Sequence, residues 1–362
     1  MLLPISFLPT IVPMIVSIID GGTVSWIMNR RIVLVWILSS LVFRAVLLPA
    51  CGDDRSDEDS ITKTPNDAGQ TDDSGQTDDS GQTGDSALDI PIGPPVPDDC
   101  ITDVSAGDHE FSCGEVDFLV MVDERCTRFA CGLIFDVHGG TMSGAQMRRN
   151  TELHELAPSK GYIVVNPSER NNFWTETHYP TVLDFMQRII EAFHVDKNRV
   201  HITGFSLGGL MSWWFICNHG ELFASAAPAA AAVSCITSEG IEPEIPILYM
   251  NGKKDEISYY EVAEPMRDRL IEALGMKNPR VLAGDDGWEH KRWTNDFDID
   301  FDFVWHDYGG QAVLDGHCLP GGTDTEGIGA LGALNAMTCT TGDINFHWGE
   351  LVLQFFLDHP KR

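Results

Sequence analysis

Positive charge is what this chain has least of. Its 362 residues hold 24 lysines and arginines against 54 aspartates and glutamates, a formal net charge of −30. Nucleic-acid binding needs clustered cations that displace phosphate counterions, so the composition argues against that partner and against adsorption to anionic lipid through a basic face. Cys-x-x-Cys and His-x-x-x-His pairs are also absent, and with them the common ligand spacings of a zinc site. No metal or organic cofactor is expected. A hydrophobic fraction of 43% excludes disorder throughout and leaves ample apolar material for a core.

The charge divides the chain into three segments. Residues 1–50 carry Arg30, Arg31 and Arg44 against Asp20 alone. Residues 51–100 carry 14 acids against Arg55 and Lys63, a net of −12. The remainder holds 39 acids and 19 bases, a net of −20.

The first segment, 1–50, reads as a targeting region. Its opening apolar stretch is broken by Pro4, Pro9 and Pro13. A second run, Ile32 to Phe43, follows Arg30-Arg31 and leads to Leu47-Leu48-Pro49-Ala50-Cys51. Basic residues, a short apolar stretch and a small residue before a cleavage point are the layout of a secretory signal. The ending resembles a bacterial lipoprotein box, with Leu48 at −3, Ala50 at −1 and Cys51 as the lipidated residue. The expected signal is 28–50, with Met28 as the true start; the alternative is an uncleaved anchor over 24–43. Either arrangement makes the protein extracytoplasmic, secreted or lipid-anchored at the bacterial cell surface, and touching membrane only through this N-terminal anchor.

Residues 51–99 read as a tether. Gly69-Gln70-Thr71-Asp72-Asp73-Ser74 recurs as Gly75 to Ser80 and again, with Gly84 in place of the first Asp, as Gly81 to Ser86, in a tract with hardly an apolar residue. Such a tract cannot bury a core, and its charges repel one another, so an extended linker is expected. The repeats lack the alternating ligands and closing Glu of a calcium loop. Eight of the nine cysteines follow the tether, an even number that fits disulfides in an exported domain without choosing among pairings.

Residues 100–362 alternate strand and helix signals. Phe118 to Val122, Gly132 to Val137, Tyr162 to Val165, Arg199 to Thr203, Pro246 to Met250 and Asp300 to Trp305 read as strands. Thr181 to Phe193, Leu207 to Cys217, Tyr260 to Leu274 and Leu351 to Asp358 read as helices. Alternation of this kind implies an α/β domain with a mostly parallel sheet and helices on both faces, its ligands bound beyond the C-terminal strand ends.

The chemistry collects at those ends. Val200 to Thr203 runs into Gly204-Phe205-Ser206-Leu207-Gly208 and then a helix, a Gly-x-Ser-x-Gly turn that lifts a serine hydroxyl out of the sheet. An oxyanion needs two N–H donors: one from Leu207 directly after the nucleophile, the other from Gly140 in His138-Gly139-Gly140-Thr141. Along the chain the acid should come next, then the base. Asp255 fills the first role after the Pro246 to Met250 strand, with Glu256 as its rival, and would fix the histidine's tautomer. His317, in Gly316-His317-Cys318, fills the second, ahead of His306 at a strand end and His347 at the start of the last helix. A disulfide at Cys318 would hold the loop that carries the base. Thr141 and Trp174 are candidate substrate contacts, as are Trp288 and Trp293.

These motifs give the domain a resemblance to the extracellular polyhydroxybutyrate depolymerase/feruloyl esterase-like family of α/β-hydrolases. It extends over residues 115–360 and rests on His138-Gly139-Gly140, Tyr162 to Pro167, Val195 through Gly209, Asn251 to Asp255, Gly316 to Gly321 and Trp348 to His359. The resemblance implies an α/β-hydrolase fold, a Ser206–Asp255–His317 triad and an ester substrate, possibly polymeric. The chain departs from the family at Gly140, where Cys is common, and at Leu319, where Trp is common; both touch the acyl pocket. Two alternatives stand beside the esterase: a serine peptidase of the prolyl-oligopeptidase type, and a non-catalytic surface-binding lipoprotein that keeps the fold. A monomer is expected, and the net charge of the domain predicts an acidic surface suited to salt and ill matched to anionic substrates.

Overall fold

The computed structural model describes residues 90–232, 244–310, 315–323 and 337–361. The targeting region, Cys51 and the repeats through residue 89 lie outside the described residues, as does Cys235.

Ten strands among the described residues form one sheet: β1 (Gly107–Cys113), β2 (Val116–Val122), β3 (Gly132–Val137), β4 (Tyr162–Glu169), β5 (Val200–Phe205), β6 (Ser225–Ala229), β7 (Ile247–Gly252), β8 (Lys277–Asp285), β9 (Trp288–Thr294) and β10 (Asp300–His306). Their order is β1-β2-β4-β3-β5-β6-β7-β10-β9-β8. The six from β4 to β10 run parallel, and antiparallel pairs β1–β2 and β9–β8 close the two flanks. Every residue of β3, β5 and β7 is buried, as a parallel strand covered on both faces requires.

Alternate side chains serve two separate cores. Leu133, Phe135 and Val137 of β3, with Ile163 and Val165 of β4, face one core, while Ile134 and Val164 face the other. On the first face lie α2 (Tyr179–Ala192), α3 (Leu207–His219) and α4 (Tyr260–Ala273); on the second lie α1 (Gly144–Thr151) and α5 (Trp348–Asp358). The α2 stripe Val182, Phe185, Ile189 and Phe193 is wholly buried, and Phe185 stacks on Phe118 of β2 with centroids 3.7 Å apart. The sheet order, with an antiparallel second strand and a β3/β4 crossover, is that of an α/β-hydrolase.

Two expectations need correction. The tether does not extend to residue 99: Ile92 N–H donates to the Arg128 carbonyl, Val96 N–H to that of Ala192, and Arg188 bridges Asp98 and Asp99. Prolines that forbid helix still leave carbonyls and flanking amides free to dock. Second, β1, β6, β8, β9 and α1 carried no strand or helix reading. β8 is exposed along its whole length, so no apolar periodicity marks it.

Candidate active site

The turn that carries Ser206, the expected nucleophile, is set by backbone contacts. Ser206 closes β5 at φ 55° and ψ −115°, a conformation costly for a residue with a Cβ and retained where the surroundings over-determine it. Its N–H donates to the Ala229 carbonyl at 2.9 Å, and its carbonyl accepts from Leu210 N–H, the first turn of α3. A Cβ on Gly208 would collide with the carbonyl oxygens of Val137 and His138, so only glycine lets α3 approach β3 this closely.

The two expected oxyanion donors lie side by side. A Cβ on Gly140 would sit 2.9 Å from Leu207 Cδ1 and 3.6 Å from Phe173 Cε2. Neither the Gly140 nor the Leu207 amide has a protein acceptor among the described residues. Thr141 differs: its N–H donates to the Asn172 carbonyl at 2.6 Å, at φ 68°, which spends that amide on the loop.

His138 anchors the glycine turn from below and is buried. Its Nε2 accepts from the Glu169 N–H at 3.4 Å, so Nδ1 carries the proton and donates to the Gly139 carbonyl at 2.7 Å. Burial lowers its pKa to about 4, against the opposing pull of that bond and of Glu169. The ring therefore stays neutral and keeps one tautomer. Trp174 donates from Nε1 to the His138 carbonyl at 2.9 Å and packs on the imidazole. It is 3% exposed, so it supports the turn from within instead of lining an open cleft. Trp288 and Leu319 are likewise buried among core residues.

Beyond Gly252, the last residue of β7, the chain turns through Lys253 and Lys254 to Asp255. Asp255 Oδ1 accepts from the N–H groups of Ile257 and Ser258, each at 2.8 Å, and Oδ2 lies 2.8 Å from His317 Nδ1. Asn251 Nδ2 donates to the Ser258 carbonyl, and Ser258 Oγ returns a bond to Asn251 Oδ1. Sequence reasoning missed Ser258, whose hydroxyl bonds to Asn251 while its N–H bonds to Asp255; the Asp255 Asx-turn involves only backbone amides, so no residue type at 258 signals it. Glu256, the rival acid, is exposed.

The loop that carries His317, the expected base, is braced from both sides. His317 packs on Phe205, the residue before Ser206, with centroids 4.7 Å apart. Cys318 is joined to Cys339, and Leu319 exchanges main-chain bonds with Met337 and Cys339. Cys100–Cys113 and Cys126–Cys131 are also bonded, and Cys217 is in a disulfide. His347, the other downstream candidate, caps α5 by accepting from Glu350 N–H. The structure thus pairs Asp255 with His317, packs His317 on Phe205 beside Ser206, and brings Gly140 against Leu207.

The prolyl oligopeptidase family matches residues 169–282, under a third of the chain, from the end of β4 into β8 and including Ser206 and Asp255. A bifunctional acetylxylan esterase/xylanase of Neocallimastix patriciarum is 25% identical over 137 residues, which is 36% of this chain and 20% of that protein. Feruloyl esterase D of Neurospora crassa is 26% identical over 163 residues, 44% of this chain and 56% of the relative. Feruloyl esterase B of Piromyces equi is 30% identical over 101 residues, 26% of this chain and 19% of the relative. The chain spans from about a fifth to just over half of the length of these relatives. A solved acetyl xylan esterase from Aspergillus awamori aligns with a TM-score of 0.45 at 14% identity, over 55% of this chain and 93% of that one. The similarity is to esterase-like α/β-hydrolases, at low identity.

Proposed function

We propose that this chain is an extracytoplasmic carboxylic ester hydrolase acting through Ser206, His317 and Asp255. The observation that carries the reading is the 2.8 Å bond between Asp255 and His317 on loops that converge beside the Ser206 turn. With Asp255 accepting the Nδ1 proton, Nε2 of His317 is the free base. It takes the Ser206 hydroxyl proton as Oγ attacks the ester carbonyl carbon. The Gly140 and Leu207 amides receive the resulting oxyanion. Collapse breaks the acyl–oxygen bond, and the alcohol leaves with the proton held on His317. Water then repeats the sequence on the acyl-enzyme and releases the acid.

The names of the curated relatives favour acyl groups on plant-type polysaccharides, acetyl or feruloyl, over polyester oligomers as the substrate class. The match to the prolyl oligopeptidase family favours a second reading, a serine peptidase using the same residues. The disulfides support an oxidising compartment. From the sequence pattern we further propose a lipoprotein signal over 28–50 with the lipid on Cys51; loss of fatty-acid labelling in Cys51→Ser would support this, and unchanged labelling would refute it.

A fluorophosphonate probe tests the chemistry. Wild type labels and Ser206→Ala does not; equal labelling of the two, or none of the wild type, rejects a serine hydrolase. Acetyl, hydroxycinnamoyl and hydroxyalkanoate esters, run beside peptide anilides, then separate esterase from peptidase.

A further inference from the structure

Glu169, the last residue of β4, shapes the chain that follows it with its own carboxylate. The residue is 3% exposed. Oε2 accepts from the N–H groups of Asn171 at 2.8 Å and Phe173 at 3.0 Å, and Oε1 accepts from Asn171 Nδ2 at 2.9 Å. Its main-chain carbonyl accepts from Asn172 N–H at 2.8 Å, closing a turn in which Asn172 takes φ 58°. Burial alone would raise the carboxyl pKa. The hydrogen bonds from Phe173 and Asn171 outweigh that and, with a smaller pull from His178, hold it below the usual carboxylate value. The segment so ordered is the one that meets the glycine turn. Glu169 N–H donates to His138 Nε2 at 3.4 Å, and the Asn172 carbonyl accepts from Thr141 N–H at 2.6 Å. Phe173 Cε2 lies 3.6 Å from where a Gly140 Cβ would stand, and Trp174 Nε1 donates to the His138 carbonyl at 2.9 Å.

We propose that Glu169 is a positioning residue that, by gathering the amides of Asn171 and Phe173, holds residues 170–174 against His138–Thr141 and so sets the Gly140 amide beside that of Leu207. This rests on the oxyanion reading above. The two donors are fixed by different means. Leu207 opens α3, and the helix holds its amide in place. Gly140 has no side chain, so its amide is aimed by its neighbours: Gly139 through His138 Nδ1, and Thr141 through the Asn172 carbonyl. Both of those ties lead back to Glu169, the first through its N–H and the second through the turn its carboxylate orders. An oxyanion donor contributes only where its N–H points at the developing charge, so a displaced turn costs transition-state binding and spares ground-state binding.

Three replacements in the full chain separate reach from charge. Glu169→Gln keeps an oxygen for the two amides and removes the charge. Glu169→Asp keeps the charge and withdraws the oxygens by a methylene. Glu169→Ala removes both. The readouts are kcat and KM on p-nitrophenyl acetate, per active site counted with fluorophosphonate, and inhibition by a trifluoromethyl ketone, whose hemiketal oxygen takes the oxyanion's place. Ala and Asp should lose on the order of 10- to 100-fold in kcat at little-changed KM, with inhibition weakened by the same factor, while Gln stays within about threefold of wild type. Wild-type kcat in Ala, an equal loss in Gln and Asp, or a fall in kcat without weaker inhibition overturns the proposal. If Ala fails to fold, the Gln–Asp comparison still decides. If wild type neither hydrolyses the ester nor takes the fluorophosphonate, the function above fails. Hydrogen exchange at the Thr141 amide, faster in Asp and Ala but not in Gln, then judges Glu169 by itself, and equal exchange in all of them rejects it.

Discussion

His317 Nδ1 and Asp255 Oδ2 stand 2.8 Å apart although 62 residues separate them in the chain. The second carboxylate oxygen is held by two main-chain amides, so the aspartate is oriented before any substrate arrives. An asparagine at 255 would keep the amide bonds through its carbonyl oxygen. Its NH₂ would then face His317 and force the proton off Nδ1. Asp255→Asn should fold normally and lose about 10⁴ in kcat, with KM little changed. Glu256→Gln, on an exposed side chain, should leave both constants at wild-type values. Steady-state kinetics on a small neutral ester decides, and the reverse ranking would move the acid to Glu256.

The Cys318–Cys339 bridge adjoins the base, whereas Cys100–Cys113 lies at the β1 edge. They span 21 and 13 residues, for which chain-entropy arguments give each about 3 kcal/mol of stabilisation. Replacing either pair with alanines should lower stability by similar amounts in denaturant unfolding. Only Cys318→Ala with Cys339→Ala should also reduce kcat under conditions where both variants are fully folded. Equal kcat in the two double variants would show that the bridge does not brace His317.

Asp136 in β3 predicts a pH dependence of stability. It is fully buried, accepting on Oδ2 from Thr151 and Asn166, while Oδ1 has no partner. Burial raises its pKa to about 7, against those hydrogen bonds and Arg148. A folded-state pKa above the unfolded 3.8 means that the folded protein holds the proton more tightly, so this group's contribution is full below pH 4 and is lost as pH rises toward and past 7. The buried histidines His138 and His306 act oppositely, losing their contribution as pH falls below 6.5. The informative quantity is thus a difference. Asp136→Asn keeps an acceptor for Thr151 and Asn166 and cannot ionise, so its melting temperature relative to wild type should climb from pH 4 to pH 8. A flat difference would mean that Asp136 is not titrating in the folded state.

The same contrast explains what could be read in advance. β3, β5, β7 and β10 announce themselves because strands covered on both faces become apolar runs. β6, Ser-Ala-Ala-Pro-Ala, is equally buried but built of small residues that any loop could contain. β1 carries charge on one face, and β8 and β9 on both, so none of them shows an apolar run. At the site, the nucleophile turn was legible because close backbone approach demands glycine around the serine. The pairing of Asp255 with His317 was legible from chain order. The burial of Trp174 was not, since an aromatic beside a catalytic turn reads the same from either side.

Charge supplies the last prediction. The 39 acids and 19 bases after residue 100 surround the site with a net negative domain, and the tether adds more of the same sign. An anionic ester must approach against that field, whereas a neutral ester does not. Salt at about 0.1 M shortens the range of the repulsion to roughly 10 Å. KM for a hemisuccinate ester should therefore fall as sodium chloride is raised from low to physiological concentration, while KM for the matching acetate stays level and kcat is retained for both. Association, and not chemistry, would be the step that salt relieves, so the gain should vanish once screening is complete. An anionic ester preferred at low salt, or activity on the neutral ester that collapses as salt rises, would show that local cations at the cleft outweigh the domain's net charge.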